Sequence, residues 1–221
     1  MHATSAPQRR QVLALSALHI LIIIASNYLV QIPVDLLGFH STWGAFSFPL
    51  IFLATDLTVR LLGKRTARRI IAHVMLPALV ASYVVGALFQ DGRFGGWASL
   101  GAFNSFVFRI ALASFAAYAL GQLLDVQVFD RIRRRASRWW LAPAGSAIFG
   151  EALDTAVFFS IAFWHSSDPF MAANWVEIGL VDYAIKLSAS LIFFVPVYGL
   201  LLSALMRWLG RDPGPLAAAA R

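Results

Sequence analysis

Six stretches of about 20 mainly apolar residues run through this chain, each long enough to cross a hydrocarbon layer about 30 Å thick. They extend approximately from Val12 to Gln31, Trp43 to Leu62, Ile70 to Phe89, Asn104 to Leu124, Leu141 to Phe163 and Val176 to Trp208. The last is longer than one straight span requires. Pro196 inside it predicts a kink, because proline lacks a backbone donor and crowds the preceding turn; a short interfacial stretch before the span is the alternative reading. Charged residues make up only 13% of the chain, against about 25% in soluble domains. No Pro-rich or Gly/Ser-rich linker separates the stretches, so residues 1–221 read as a single all-α, polytopic membrane domain. The first stretch is too long for a signal-peptide core and no A-x-A site follows it, so it is expected to remain as a helix.

Charge assigns an orientation. Arg9 and Arg10 precede the first stretch, and Arg60, Lys64, Arg65, Arg68 and Arg69 surround the turn between the second and third. Arg131, Arg133, Arg134, Arg135 and Arg138 join the fourth to the fifth, and Arg207, Arg211 and Arg221 follow the sixth. Fifteen of the 18 basic residues thus fall on one side. The opposite connections hold Asp35, His40, Asp91, Arg93, His165, Asp168 and Glu177. Because Lys and Arg are retained on the cytoplasmic face, both termini are expected inside the cell. The same distribution explains the net charge of +7 and the basic run at 131–138 without a nucleic-acid partner. The seven tryptophans stand near predicted helix ends, as interfacial anchors do.

Some charges remain where the membrane tolerates them poorly: Asp56, Arg109, Glu151, Asp154, Asp182 and Lys186. A charge at the centre of a span costs roughly 2.5–3.5 kcal/mol on insertion scales unless it pairs or meets water. Counting from the cytoplasmic end of the fifth stretch puts Glu151 and Asp154 near the midplane, three residues apart and on one face. Arg109 falls in the outer third of the fourth stretch, Asp182 and Lys186 share a face in the outer part of the sixth, and Asn27 and Tyr28 lie toward the outer end of the first. Together these groups predict a polar cavity that opens outward and ends near the midplane, where transporters hold their substrates.

Plainer roles compete at several positions. Asp56 and Arg60 read equally as a local i, i+4 ion pair; Asp125 and Asp130 as caps or partners of the basic run; Asp182 and Lys186 as an ion pair within one helix; and Arg109 as a side chain reaching outward to the interface. Tyr118 and Gln122, four apart, face either a ligand or a neighbouring helix, and His19 and His73 read as packing residues. The series Ala113, Ala117, Gly121 is a small-residue stripe suited to close helix approach.

Chemistry narrows the options. The chain has no cysteine, its five histidines lie outside metal-ligand spacing, and no cofactor is called for. Serines 105, 114, 146, 160 and 188 lack a histidine partner, and G-x-S-x-G, H-E-x-x-H and Walker A sequences are absent, which argues against an enzyme. Paired acids facing Arg and Lys instead suit a small solute that both donates and accepts hydrogen bonds, and 14% aromatic residues suit a flat, guanine-like ring. An intramembrane acid would permit proton coupling without requiring it.

The stretches SNYLVQIPVDLLGFHSTWGAFSFPLIFLATDLTVRLLG (Ser26 to Gly63), RIALASFAAYALGQLLDVQVFDRIR (Arg109 to Arg133), RWWLAPAGSAIFGEALDT (Arg138 to Thr155), DYAIK (from Asp182) and FFVPVYG (to Gly199) resemble the queuosine precursor transporters of the vitamin uptake transporter family. The resemblance spans about residues 10–208 in order. It implies a bacterial inner-membrane importer of 7-cyano-7-deazaguanine and 7-aminomethyl-7-deazaguanine, salvaged for the queuosine of transfer RNA. It also implies a helical fold similar to the substrate-binding components of energy-coupling-factor transporters. By position, Asp56, then Arg109, Ser114, Tyr118, Gln122 and Asp125, then Asp154 and Lys186 match family positions. Arg60 stands where many members have Glu, and Glu151 where an amide is expected. The substrate-binding residues expected are Asp154, Glu151, Arg109, Lys186, Asp182, Asn27, Tyr118, Gln122 and Asp56. A solitary carrier is the first expectation. A binding subunit driven by a separate ATP-hydrolysing module is the second, made weaker because Ala14 and Ala17 are followed four residues on by Leu18 and Leu21 rather than by the A-x-x-x-A of such subunits.

Overall fold

The computed structural model describes residues 6–29, 32–36, 39–90 and 93–208. Six helical spans cross in alternation. The first is α1 (Ala6–Leu29), and the second is built from α2 (Gly44–Ser47) and α3 (Pro49–Leu62). Then come α4 (Lys64–Leu88), α5 (Ser105–Arg135) and α6 (Leu141–Phe163). The sixth combines α7 (Pro169–Ala189), a π-helical turn (Ser190–Phe194) and α8 (Val195–Trp208). The six-helix, all-α expectation therefore holds, and the chain is a multi-pass membrane protein. Exposed Leu21, Leu76, Val80, Leu180, Ile192 and Phe193 form part of the outer surface, as lipid-facing side chains should, since a bilayer core imposes no penalty on apolar exposure.

At one end the connections are tight and basic. Gly63, with φ of 84°, ends α3 and starts α4 in a one-residue turn, a backbone conformation that a Cβ disfavours. At the other end, β1 (Pro33–Leu36) pairs with β2 (Phe39–Thr42) and β3 (Phe89–Gln90) with β4 (Arg93–Phe94), two antiparallel hairpins within the loops. There Asn104 accepts hydrogen bonds from the Phe106 and Val107 amides to cap α5, and Asp168 accepts from those of Phe170 and Met171 to cap α7, each satisfying two otherwise orphaned donors.

Three boundaries differ from expectation. The fourth span continues eleven residues past Leu124, to Arg135, because nothing after Gly121 breaks a helix and Asp130 clasps Arg133 (3.3 Å) and Arg134 (3.0 Å) one turn on, with Lys64 of α4 at 4.0 Å. The third begins at Lys64 rather than Ile70, since Gly63 supplies the turn. The sixth begins at Pro169 behind the Asp168 cap, and its irregularity is the π turn just before Pro196. The proline cannot donate to the carbonyl four residues earlier, and a wider turn accommodates the lost bond. The predicted end of the first span at Gln31, Asp91 and the tail beyond Trp208 lie outside the described residues.

The centre of the bundle is the crossing of α5 with α6. Ala113 and Ala117 are buried to 0% and 2% exposure. A Cβ at Gly121 would stand 3.0 Å from the Cβ of Asp154 and 3.2 Å from the Gly150 carbonyl. The small-residue stripe therefore brings two helix backbones close together, and α6 presents its acids to α7 and the π-helical turn.

Candidate functional site

Glu151 and Asp154 straddle the middle of α6, which at about 1.5 Å per residue is long enough to span the apolar layer. Asp154 faces Lys186 across the bundle at 3.7 Å, and Lys186 also holds Asp182, one turn earlier on α7, at 2.6 Å. The Thr155 hydroxyl donates to Asp182 at 3.5 Å. Glu151, 1% exposed, accepts from the Ser190 hydroxyl with Oε1, while Oε2 has no hydrogen-bond partner. Lys186 Nζ also lies 5.1 Å from the centre of the Phe48 ring, where an aromatic face attracts a cation. Four of the expected site residues, Glu151, Asp154, Asp182 and Lys186, thus form one buried group.

A second acidic group lies toward the basic end of the bundle. Ser146 donates to Asp56 at 3.3 Å, and Asp125 stands beside both with neither of its oxygens in a hydrogen bond. Asp56 makes no ion pair with Arg60, and Asp125 does not join the arginine run, a task that Asp130 performs. Both acids point inward because Gly150 lets α3 and α5 pack onto α6: a Cβ there would meet Phe52 Cε1 at 2.8 Å and Asp125 Cβ at 3.1 Å.

Other expected residues go elsewhere. Arg109 lies outside the acidic group. It donates to the carbonyls of Ile161 (2.6 Å), Trp164 and His165 (3.2 Å), closing the C-terminus of α6, where a cation balances the helix dipole. Asn27 donates to Ser82 on α4 at 2.6 Å. Gln122 is buried and accepts from Thr55, which His19 of α1 also contacts at 3.1 Å, while the Gln122 amide nitrogen and the Tyr118 hydroxyl have no partner. His19 serves packing, as expected. Sequence reading missed Ser146, Thr55, Thr155, Ser190 and Phe48. Only Ser146 left a signal, as the first member of the i, i+4, i+8 face Ser146, Gly150, Asp154.

The expected cavity running from the hairpin end to the midplane is divided. A hollow of about 420 Å³ between the hairpin ends of α4 and α5 is lined by Ala87, Ser99, Ala102, Phe103, Asn104 and Ser105, none of them a member of either acidic group. A smaller void of about 20 Å³ touches Asp56 and lies among Phe52, Ala147, Ser190, Phe194 and Tyr198, room for about one water molecule. A helix break lies on either side of it. One is at Phe48–Pro49, between α2 and α3, and the other is the π turn that includes Ser190 and Phe194.

Comparison with known proteins places the chain among named relatives. Residues 42–201 match the family model described as "Putative vitamin uptake transporter". The chain is 58% identical to the "Queuosine precursor transporter" of Escherichia coli (strain K12), over 94% of each chain. It is 53% identical to the "Probable queuosine precursor transporter" of Haemophilus influenzae, over 90% of each. A protein of the latter description from Bacillus subtilis is 30% identical over 76% of this chain and 75% of its own. No solved structure matches, so the likeness to energy-coupling-factor components rests on the sequence resemblance alone. With the family match covering residues 42–201 and the relatives aligned across most of their own length, this chain belongs to the vitamin uptake transporter family.

Proposed function

We propose that this protein imports queuosine precursors, 7-cyano-7-deazaguanine and 7-aminomethyl-7-deazaguanine, across a bacterial inner membrane as a solitary carrier, with both termini in the cytoplasm. The observation that carries the proposal is the buried Asp154–Lys186–Asp182 group with Glu151 beside it, in the middle of a bundle whose relatives are named for queuosine precursor transport. A deazaguanine presents adjacent N–H donors and a carbonyl along one edge. The free oxygen of Glu151 and the carboxylate of Asp154 accept the donors, and Lys186 meets the carbonyl. Such charge-assisted bonds are roughly twice as strong as neutral ones. The rings of Phe48 and Phe52 supply flat surfaces for the heterocycle. The void bordered by Phe52 and Ser190 is far smaller than a purine, so entry of the solute there requires the segments at the two helix breaks to draw apart. Arg109 acts on the scaffold, by fixing the C-terminus of α6, the helix that carries Asp154.

The test is queuosine in transfer RNA, in cells that neither make the precursor nor have their own importer, given a low external concentration of 7-cyano-7-deazaguanine. Expression of this chain restores the modification and Asp154→Asn abolishes it. No restoration despite confirmed membrane expression would remove the substrate assignment.

A further inference from the structure

The two acidic groups differ in their charge balance. In the outer group a buried lysine bridges two carboxylates, and a serine satisfies one oxygen of Glu151. The Asp56–Asp125 pair has no cation: no salt bridge reaches either residue, Asp56 is 3% exposed, and Asp125 is 0% exposed with both oxygens unpartnered. An uncompensated buried carboxylate is penalised by several kcal/mol. Two such carboxylates side by side favour the uptake of a proton, which neutralises one of them.

We propose that Asp56 and Asp125, joined by Ser146, form a proton-carrying site, separate from the solute-binding group, through which inward proton movement drives uptake; this rests on the carrier reading above. A proton entering from outside forms an O–H bond at one carboxylate and leaves toward the cytoplasm when that bond breaks, with no electron transferred. The occupant proposed is a proton: among the described residues no group of three or more His, Asp or Glu is placed to hold a metal, and α3, α5 and α6 are continuous helices at Asp56, Asp125 and Ser146 themselves.

The independent observation is the small void. It is bordered by Asp56 on one side and by Ser190 on the other, the same serine that donates to Glu151. One water there would connect the solute-binding group to the proton site. Other titratable groups lie near the pair, and none makes an ion pair with it: Arg60 of α3 and Arg133 of α5 approach Tyr198, and Arg133 is held by Asp130. Glu151 faces the pair from α6 and Tyr198 from α8, and His19 of α1 contacts the neighbouring Thr55. Lys186 of α7 is committed to Asp154 and Asp182, and Lys64 of α4 to Asp130.

The experiment uses the purified full chain in liposomes, with the membrane potential clamped, and labelled 7-cyano-7-deazaguanine as probe. An inward gradient of about one pH unit should support about tenfold accumulation at one proton per solute, and an equal sodium gradient none. Asp125→Asn should retain exchange of external for internal solute while losing that accumulation, and Asp125→Glu should recover part of it. Accumulation indifferent to the pH gradient, or undiminished in Asp125→Asn, would overturn the proposal. A second readout needs no solute: the infrared carbonyl band of a protonated carboxylic acid in the wild-type protein, shifted in Asp125→Asn and in Asp56→Asn and absent from the double variant. Wild-type protein that exchanges no solute would sink the substrate assignment, and the infrared band would then decide the proton site by its presence or absence.

Discussion

Lys186 holds the outer group together, and its removal tests the balance of charge there. Lys186→Met leaves Asp154 and Asp182 buried without their cation, and breaking a buried pair from one side costs about 3–5 kcal/mol. The melting temperature of the detergent-purified protein should fall accordingly, and adding Asp182→Asn should recover much of the loss. An unchanged melt for Lys186→Met would mean that the ion pairs contribute nothing to the fold. Arg109 tests the opposite assignment. Arg109→Met removes three charge-assisted bonds to carbonyls at and just past the C-terminus of α6, a destabilisation of about 3 kcal/mol, while solute affinity in the surviving folded protein stays near wild type. Lost affinity with an unchanged melt would return Arg109 to the binding site. At this scale the sequence was readable where a pattern is local. Glu151 with Asp154 and Asp182 with Lys186 share faces by spacing alone. The partners of Arg109 are backbone carbonyls 52 to 56 positions away, and Ser146 meets Asp56 across 90 positions, relations that leave no periodic trace.

Among the elements, the α5–α6 crossing sets the position of everything else. Gly121→Val places branched carbons where even a Cβ stands 3.0 Å from Asp154 Cβ. Overpacking of this kind costs about 1–3 kcal/mol, and here it also displaces α6 and its acids. Transport should fall more steeply than folded yield, read as uptake per amount of monodisperse protein. A proportional fall in both would make the crossing a matter of stability alone. The small-residue stripe was legible because its spacing matches the helix repeat. The form of the break near Pro196 was not. Proline marks where a helix loses a hydrogen bond, but whether the helix bends or widens into a π turn depends on what packs against it, and Ser190 reaching Glu151 is such a contact.

For the whole molecule, the six spans followed from length and apolarity, whereas the two hairpins and the extension of α5 beyond Leu124 depend on contacts outside the apolar runs. Orientation remains a reading of charge: the end bearing Lys64, Arg65, Arg68, Arg69 and the Arg131–Arg138 run is expected in the cytoplasm. The chain has no cysteine, so single introduced thiols report their side of the membrane without background. Ser137 lies exposed between α5 and α6 at the basic end, and Ser167 lies exposed between α6 and α7 at the other. In right-side-out vesicles a membrane-impermeant maleimide should label Ser167→Cys at once and Ser137→Cys only after permeabilisation. The reverse pattern would turn the molecule over. The hollow between α4 and α5 would then face the cytoplasm, and the acids between it and the basic end would lie on a path suited to export.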